Sequence, residues 1–304
     1  MDIKTVSFIG CGALGVMYAS HMLKTLSHDQ IRFIAGSDRL DRYKSAEFYA
    51  NGVRQSFQFV SADENTQPSD LVIFTVKHYG LDDAIRLAKN HIGENTVILS
   101  FLNGISSEQI IGQTYNPVKV IPSVVAGMDA TKTGNAVSFS RIGYIAFGRL
   151  PHNRQQDLDS LARFLDRVQI RYEIHEDISK TIWWKFMLNI GVNQTSAVLR
   201  SSYKLFHECV YAENIMKMAM LEAFGVSKKL NIGLTEKDIG DAIKIVKTLS
   251  PDGKTSMLQD IDAKRPTEAD IFAGELMKLG RECNVPVPVN TFLYNAIKAM
   301  ESMY

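Results

Sequence analysis

The decapeptide VSFIGCGALG, residues 6 to 15, decides the fold of the first half of this 304-residue chain. A short, mostly apolar strand candidate leads into Gly10-x-Gly12-x-x-Gly15, and a helical stretch follows at once. In such a strand-turn-helix the first glycine allows the tight turn, the second lets a pyrophosphate approach the backbone, and the third permits close helix packing. The stretch therefore predicts a dinucleotide-binding turn, the alternative being a tight turn without a ligand. The predicted cofactor contacts are Gly10, Cys11, Gly12, Ala13, Leu14 and Gly15.

Downstream of this turn, short apolar runs alternate with amphipathic stretches, a pattern typical of parallel strands joined by helices. The predicted strands are residues 6–10, 31–35, 70–76, 96–102 and 118–125, and the predicted helices are 13–26 and 81–91. Two further runs, 136–140 and 144–148, are predicted to extend the sheet in antiparallel fashion, because their connection is too short for a crossover helix.

The second half is helical in pattern. From Asn153 onward apolar residues recur three and four apart, apart from a short strand-like run near 171–175. A long helix is predicted from about residue 177, with others at 211–230, 235–249 and 267–283. The sequence therefore predicts an α/β fold class: a Rossmann-type domain with a mostly parallel sheet at residues 1–174, then an all-α domain at residues 175–304 for substrate binding and dimerisation.

Composition excludes several classes of function. The net charge of +1 leaves no electrostatic footprint for nucleic acid or an anionic membrane surface. Three cysteines without CxxC spacing, and seven histidines without ligand spacing, predict neither a disulfide framework nor a metal site. The apolar run at 6–19 is interrupted by glycines and lacks the basic leader of a secretory signal. We therefore expect a cytoplasmic protein that binds neither nucleic acid nor membranes.

The segment after the second predicted strand, IRFIAGSDRLDRY (31–43), bears on cofactor choice. An acid at the end of this strand favours the ribose diol of NAD, and a basic residue favours the 2′-phosphate of NADP. Gly36 occupies the position nearest the diol and leaves room for a phosphate, which Ser37 and Arg39 are placed to bind. We therefore predict an NADP-binding domain, with NAD as the alternative because Asp38 is also present.

Polar residues follow two other predicted strands. Lys77 and Asn103 come directly after the runs at 70–76 and 96–102. Ligands of doubly wound sheets bind beyond the carboxyl ends of strands, so both residues are predicted to lie near the cofactor and substrate.

A third polar set interrupts the apolar stretch WWKFMLNIGVNQ (183–194). Lys185, Asn189 and Asn193 are four residues apart and so share one stripe of a helix. Burying a neutral polar group without a partner costs roughly 2 to 7 kcal/mol, and burying a charge costs more. The stripe is therefore predicted to meet polar partners or to line a cleft.

Taken together, five segments resemble the ketopantoate reductase (2-dehydropantoate 2-reductase) family over nearly the whole chain. They are IGCGALG (9–15), TVK (75–77), LNG (102–104), WWKFMLNIGVNQTSA (183–197) and TSMLQDIDAKRPTEAD (255–270). The resemblance implies a Rossmann domain followed by a helical domain. It also implies that NADPH reduces the 2-oxo group of 2-dehydropantoate to (R)-pantoate, on the pathway to pantothenate and coenzyme A.

The resemblance also implies roles for individual residues. Lys185 matches the general acid of the family, and Glu268 matches the acid that contacts the substrate and this lysine. Lys77 matches a cofactor contact, and Asn103 a residue near both nicotinamide and substrate. The remaining substrate contacts implied are Asn189, Asn193 and Ser256. Two positions depart from the family pattern: Gly36, where relatives often have arginine, and Ala273-Gly274, where they often have Asn-Gly.

The chemistry of a ketone reduction agrees with these residue types. Hydride addition leaves an alkoxide, which a nearby ammonium can stabilise and then protonate. A 2-oxo acid also needs hydrogen-bond donors for its carboxylate. Two other functions stay open: a reductase of a different 2-oxo acid, and a non-catalytic protein that senses NADP. A homodimer formed through the helical domain is a further expectation.

Overall fold

The structure is a computed structural model that describes residues 2–64 and 66–304. The chain divides into two compact units, Met1–Ile178 and Ser179–Tyr304. The domain boundary predicted after residue 174 falls inside the last strand of the first unit, Tyr172–His175.

The first unit contains strands and helices in alternation. Its strands are β1 (Val6–Ile9), β2 (Ile31–Ala35), β3 (Phe48–Ala50), β4 (Val53–Gln55), β5 (Gln58–Ser61), β6 (Leu71–Phe74), β7 (Val97–Ser100), β8 (Ser123–Met128), β9 (Thr131–Thr133), β10 (Ala136–Ser138), β11 (Ile142–Gly148) and β12 (Tyr172–His175). Its helices are α1 (Ala13–Met22), α2 (Ser37–Ser45), α3 (Leu81–Ala88), α4 (Ser107–Tyr115) and α5 (Gln155–Arg167).

Five of the strands form an all-parallel sheet in the order β5-β2-β1-β6-β7. Successive residues of β1 contribute to different cores: Phe8 lies in the cluster on one face, and Ile9 in the cluster on the other. Strands buried on both faces are near-continuously apolar, which explains why the sequence predicted β1, β2, β6 and β7. The predicted Rossmann-type arrangement with a mostly parallel sheet is confirmed.

The prediction of a strand at 118–125 was wrong in its first half. Residues Pro117–Lys119 form a 3-10 turn, and Val120 makes only an isolated bridge to Ile98 before β8 begins at Ser123. Pro122 has no N–H to donate to a ladder, so the strand cannot run through it.

The two runs predicted as an antiparallel extension belong to different sheets. β11 pairs antiparallel with β8 and parallel with β12, whereas β10 pairs antiparallel with β9 and parallel with β3. Between them, the Asp129 carboxylate accepts the backbone N–H groups of Ser140 and Arg141. Strands β3, β4, β5 and β9 were not predicted.

Two predicted helices of the first unit end earlier than expected. α1 stops at Met22, with residues 23–26 continuing as hydrogen-bonded turns. α3 stops at Ala88 and passes into a 3-10 turn at Lys89–His91. The ends of helices commonly shift by a residue or two between assignments.

The second unit, described throughout residues 179–304, is helical. Its helices are α6 (Ile178–Val198), α7 (Lys204–Glu208), α8 (Val210–Lys229), α9 (Glu236–Val246), α10 (Ser256–Asp262), α11 (Ala273–Cys283) and α12 (Pro288–Glu301). The single helix predicted for 267–283 is instead a 3-10 turn at Ala269–Ile271 followed by α11. The break falls at Phe272, whose ring is fully buried and whose backbone, at φ −99° and ψ −90°, is not helical. Among the described residues, we find no helix with the length and apolar character needed to cross a membrane.

Candidate functional site

The turn between β1 and α1 packs so tightly on the end of β6 that two of its glycines have no substitute. Gly10 has a φ of +107°, and a Cβ there would lie 2.7 Å from the backbone carbonyl of Thr75. A Cβ on Gly15 would lie 2.3 Å from the carbonyl oxygen of Gly10. The Thr75 hydroxyl closes the turn by donating to the Gly10 carbonyl over 2.6 Å. The packing of the protein therefore requires the first and third glycines.

Gly12 differs because neither its backbone nor its packing requires glycine. Its φ is −86°, and a Cβ would meet only the Thr75 carbonyl oxygen, at an ordinary 3.5 Å. Gly12 is the N-cap of α1, and no side chain among the described residues caps this helix or places an acid in its first turn. The open space, the unpaired first N–H groups and the positive helix end fit a dinucleotide pyrophosphate.

The segment after β2 presents both signs of charge. Ser37, Asp38 and Arg39 form the first turn of α2, with Gly36 as its N-cap. Arg39 lies 3.9 Å from Asp38, but both side chains are largely exposed, so this ion pair is weak. A Cβ on Gly36 would lie 3.0 Å from the Asp38 carboxylate, which therefore faces the position expected for the ribose diol. The turn thus offers an acid for a diol as well as a hydroxyl and a guanidinium for a phosphate.

Lys77 and Asn103 follow neighbouring strands of the parallel sheet. Lys77 caps a 3-10 turn after β6, and Asn103 lies in the bend after β7. Because β2, β1, β6 and β7 are parallel neighbours, their carboxyl ends lie at the same edge of the sheet. The predicted cofactor residues Ser37 and Arg39, the glycine turn, Lys77 and Asn103 all follow that edge. Their contacts with a ligand stay predictions.

One polar contact at the glycine turn was not predicted. The Lys132 ammonium donates to the Cys11 carbonyl and lies 6.0 Å from the centre of the Phe48 ring. Burial raises the pKa of the Cys11 thiol to about 12, although Lys132 acts in the opposite direction. The thiol is therefore neutral at physiological pH and serves as a packing group. The available sequence signal was Thr131-Lys132-Thr133, a lysine alternating with two threonines.

In the second unit, the predicted polar stripe lies on α6. Lys185 and Asn189 are half-buried, and Asn193 is buried. The Asn193 amide donates to the Asn189 side-chain oxygen over 3.1 Å, and its own oxygen accepts from the Ser256 hydroxyl over 3.2 Å. The Met257 N–H also points at this oxygen, over 3.4 Å. The structure thus joins three predicted substrate residues in one hydrogen-bonded chain.

The start of α10 is anchored on α6, which explains the placement of Ser256. Thr255, the N-cap of α10, accepts the N–H of Leu258 over 3.1 Å. Its hydroxyl also donates to Ser196 of α6 over 3.1 Å, and Thr255 is buried. A capping threonine that also bonds to the neighbouring helix sets both the start of α10 and its position along α6.

The segment that carries Glu268 is anchored by α12. Glu268 is buried, and the preceding Thr267 donates its N–H and its hydroxyl to the Glu301 carboxylate over 2.7 and 2.6 Å. Lys298 forms an ion pair with Glu301 at 2.8 Å. Burial opposes ionisation of Glu301, but the hydrogen bonds from Lys298 and Thr267 outweigh it and lower the pKa of this carboxyl. The ionised Glu301 carboxylate therefore fixes the position of Thr267, the residue before Glu268.

Replacing Glu301 by glutamine is expected to remove a pH-dependent part of the stability. A carboxyl whose pKa is lower in the folded chain than in the unfolded chain stabilises the fold at pH values above its unfolded-state pKa, here 4.5. This stabilisation is lost as the pH falls through the folded-state pKa. Wild type should therefore exceed Glu301→Gln in urea midpoint at about pH 7, and the difference should shrink below about pH 4. A difference that does not change with pH would contradict this role.

A glycine turn opening a parallel sheet, followed by a helical unit, defines a Rossmann-type dinucleotide-binding protein. Residues 6–152 match the family model described as ketopantoate reductase PanE/ApbA, and residues 177–301 match the model of its C-terminal domain. The chain belongs to the ketopantoate reductase family, and it is therefore an NAD(P)H-dependent oxidoreductase. The resemblance found in the sequence is confirmed.

Individual relatives match the whole chain. The 2-dehydropantoate 2-reductase of Archaeoglobus fulgidus is 25% identical, over 99% of each chain. A solved structure of D-mandelate dehydrogenase with NADH and anilino(oxo)acetate superposes with a TM-score of 0.88 at 21% identity, covering 98% of this chain and 99% of that one. A dimeric ketopantoate reductase from Staphylococcus aureus has a TM-score of 0.80 at 20% identity, with the same coverage. These two structures share the fold of this protein.

Proposed function

We propose that this protein reduces 2-dehydropantoate to (R)-pantoate with NADPH, on the pathway to pantothenate and coenzyme A. The observation that carries the proposal is the chain of hydrogen bonds from Asn189 through Asn193 to Ser256, on the helix that also carries Lys185. Amide and hydroxyl groups beside an ammonium suit a substrate with a carboxylate and a keto group. Membership of the family and the name of the Archaeoglobus relative support the choice of substrate.

The first step of the mechanism is binding of the substrate carboxylate. The Ser256 side chain is exposed, and a hydroxyl hydrogen rotates freely between acceptors. When the Ser256 hydroxyl donates its hydrogen bond to the substrate carboxylate instead, the Met257 N–H still points at the Asn193 oxygen. Asn193 therefore keeps its orientation while Ser256 turns to the substrate. Asn189 and Asn103 are proposed as the further substrate contacts.

The second step is protonation of the substrate oxygen. The glycine turn, with the help of Lys77, would hold a reduced nicotinamide dinucleotide, and this group would supply the hydride. The Lys185 ammonium stabilises the negative charge that develops on the keto oxygen and then donates its proton to it. Glu268, which is buried, is proposed as the acid that contacts the substrate and this lysine.

NADPH is proposed as the cofactor because Ser37 and Arg39 begin α2, where the first helical turn can bind a 2′-phosphate. One observation favours a second candidate, an NADH-dependent reductase of another 2-oxo acid. The Asp38 carboxylate faces the position of Gly36, where an acid would bind the diol of NADH. The D-mandelate dehydrogenase of the same fold was solved with NADH.

Steady-state kinetics separate these candidates. Oxidation of the reduced nicotinamide is followed with NADPH or NADH and a panel of 2-oxo acids that includes 2-dehydropantoate. The proposal expects the highest kcat/KM with NADPH and 2-dehydropantoate. A higher value with NADH and another 2-oxo acid would favour the second candidate. Tight binding of NADPH by folded protein, without turnover of any acid, would indicate a sensor of NADP.

Replacing Ser256 by alanine is expected to raise the KM for the 2-oxo acid about 10- to 100-fold, because one hydrogen bond to a charged group is lost. The KM for NADPH should not change, since the hydroxyl has no part in cofactor binding. Ser302→Ala removes an exposed hydroxyl that donates only to the Ala299 carbonyl and serves as the matched control. Equal KM values for Ser256→Ala and wild type would remove Ser256 from the site.

We also propose that the protein is a homodimer that forms through its helical unit. Tyr211, Met218 and Leu221 recur on one exposed face of α8, with 77%, 51% and 41% of their surfaces accessible. The Staphylococcus aureus relative is described as dimeric. Light scattering that gives the mass of one chain would reject the dimer. The cytoplasmic location stays a prediction from the cysteine content.

A further inference from the structure

Lys132 stands at a strand position where the alternation of the sheet predicts an apolar side chain. β9 and β10 form a hairpin whose register places Lys132 opposite the buried Val137. The neighbours Thr131 and Thr133 are exposed. Because alternate residues of a strand face opposite sides of the sheet, Lys132 belongs to the covered face. A cation there calls for a partner, since removing an ammonium from water is costly.

The partner that Lys132 reaches in the protein is a neutral one. Its ammonium donates to the carbonyl of Cys11, in the middle of the glycine turn. An ammonium has three donors, and this carbonyl accepts one of them. Burial lowers the pKa of Lys132, and the positive charge of Arg42 on α2 acts in the same direction. The described residues thus place two mutually repelling cations here and no carboxylate in an ion pair with Lys132.

The strand register locates these cations relative to a bound dinucleotide. β1 and β2 end level with each other, with Ile9 paired to Ile34. Cys11 and Gly36 both lie two residues beyond this pair, at the same edge of the sheet. In a Rossmann domain the 2′ position of the ribose lies at the end of the second strand, and the pyrophosphate lies over the glycine turn. The ammonium on the Cys11 carbonyl therefore lies beside the 2′ position, and Arg42 in the last turn of α2 adds positive charge on the same side.

We propose that Lys132, together with Arg42, binds the 2′-phosphate of NADPH and so determines cofactor specificity. This inference rests on the proposed NADPH-dependent function and identifies a second source of positive charge besides Arg39. A phosphate carries up to two negative charges and strong acceptor oxygens, which match the remaining donors of Lys132. The Lys132 ammonium itself lies 6.0 Å from the centre of the Phe48 ring.

Calorimetric titration of NADPH and NADH into wild type, Lys132→Met and Lys132→Arg tests the inference. Methionine keeps an unbranched apolar side chain and removes the charge, whereas arginine keeps the charge. We expect Lys132→Met to weaken NADPH binding about 10- to 100-fold and NADH binding less than about twofold. Lys132→Arg should retain most of the NADPH affinity. Lys44→Ala, which also removes an exposed cation from the last turn of α2, is the matched control and should change neither affinity.

The same titrations can also overturn the inference. If Lys132→Met loses equal affinity for NADPH and NADH, the lysine only holds the glycine turn, and the inference is overturned. Unchanged affinity for both dinucleotides would overturn it too. If wild type binds NADH at least as tightly as NADPH, NADPH fails as the cofactor, while a loss confined to NADPH still assigns Lys132 to the phosphate. If Lys132→Met has a much lower Tm than wild type, the titrations are repeated with Arg42→Ala on exposed α2. A loss of affinity for NADPH alone supports the inference, and affinities equal to those of wild type reject it.

Discussion

The Lys185→Ala variant is expected to lose about 10²- to 10⁴-fold in kcat with 2-dehydropantoate and NADPH. The variant lacks the ammonium that stabilises the developing charge on the substrate oxygen and donates the proton. The interaction between this ammonium and the oxygen exists mainly in the transition state. The KM of the 2-oxo acid should therefore change much less than kcat. Steady-state kinetics over a range of both substrates measure the two parameters separately.

Lys180→Ala is the matched control, because Lys180 lies on the same helix and forms an ion pair with Asp238 at 3.5 Å. Loss of a partly exposed pair of this kind costs at most about 1 kcal/mol, so kcat should stay near the wild-type value. Thermal melting of both variants shows whether α6 is intact. Wild-type kcat in Lys185→Ala would eliminate the proton-donor role, and equal losses in both variants would point to damage of the helix.

The second large effect is expected on folding. Gly15→Ala places a Cβ 2.3 Å from the Gly10 carbonyl oxygen and 2.8 Å from the Thr75 hydroxyl. α1 must move away from the sheet, and the bond from Thr75 to Gly10 is broken. Overpacking of this kind costs about 1–3 kcal/mol or more. Thermal unfolding should show a loss of roughly 2–4 °C in Tm for each kcal/mol in a domain of this size.

Gly12→Ala, in the same turn, should behave in the opposite way. Its Cβ meets only an ordinary contact at 3.5 Å, so Tm should stay near wild type. The methyl group would instead occupy the space proposed for the pyrophosphate, and dinucleotide affinity should fall at least about tenfold. Unchanged dinucleotide binding by Gly12→Ala would show that no ligand uses this space. Unchanged Tm of Gly15→Ala would show that α1 adapts without cost.

The central sheet was predictable because its strands are buried on both faces. β1, β2, β6 and β7 appear in the sequence as short apolar runs, separated by the amphipathic helices that cover them. The strands that were missed are short, and β4 and β9 are largely exposed, so they carry no such run. Pro122 shows how one residue without an N–H divides an apolar stretch that looks continuous by hydropathy.

The same distinction applies to the candidate site. The glycine turn and the stripe of Lys185, Asn189 and Asn193 were found because residue spacing within one element is enough to place these groups together. The contact of Asn193 with Ser256 joins two helices, and only the family resemblance indicated it before the structure. Lys132 had no such indication, because its place beside Cys11 depends on pairing between β10 and β3.

The pairing of β10 with β3 also bears on the order in which parts of the protein fold. Tyr49 and Ala136 lie far apart in the chain, and strands β6 and β7 of the parallel sheet come between them in sequence. Closing so long a loop has an entropic cost that the local hairpin of β9 and β10 does not have. The lysine beside the nucleotide turn thus reaches its place only after remote segments have met, and a dinucleotide that prefers the completed arrangement will draw the folding equilibrium toward it by mass action.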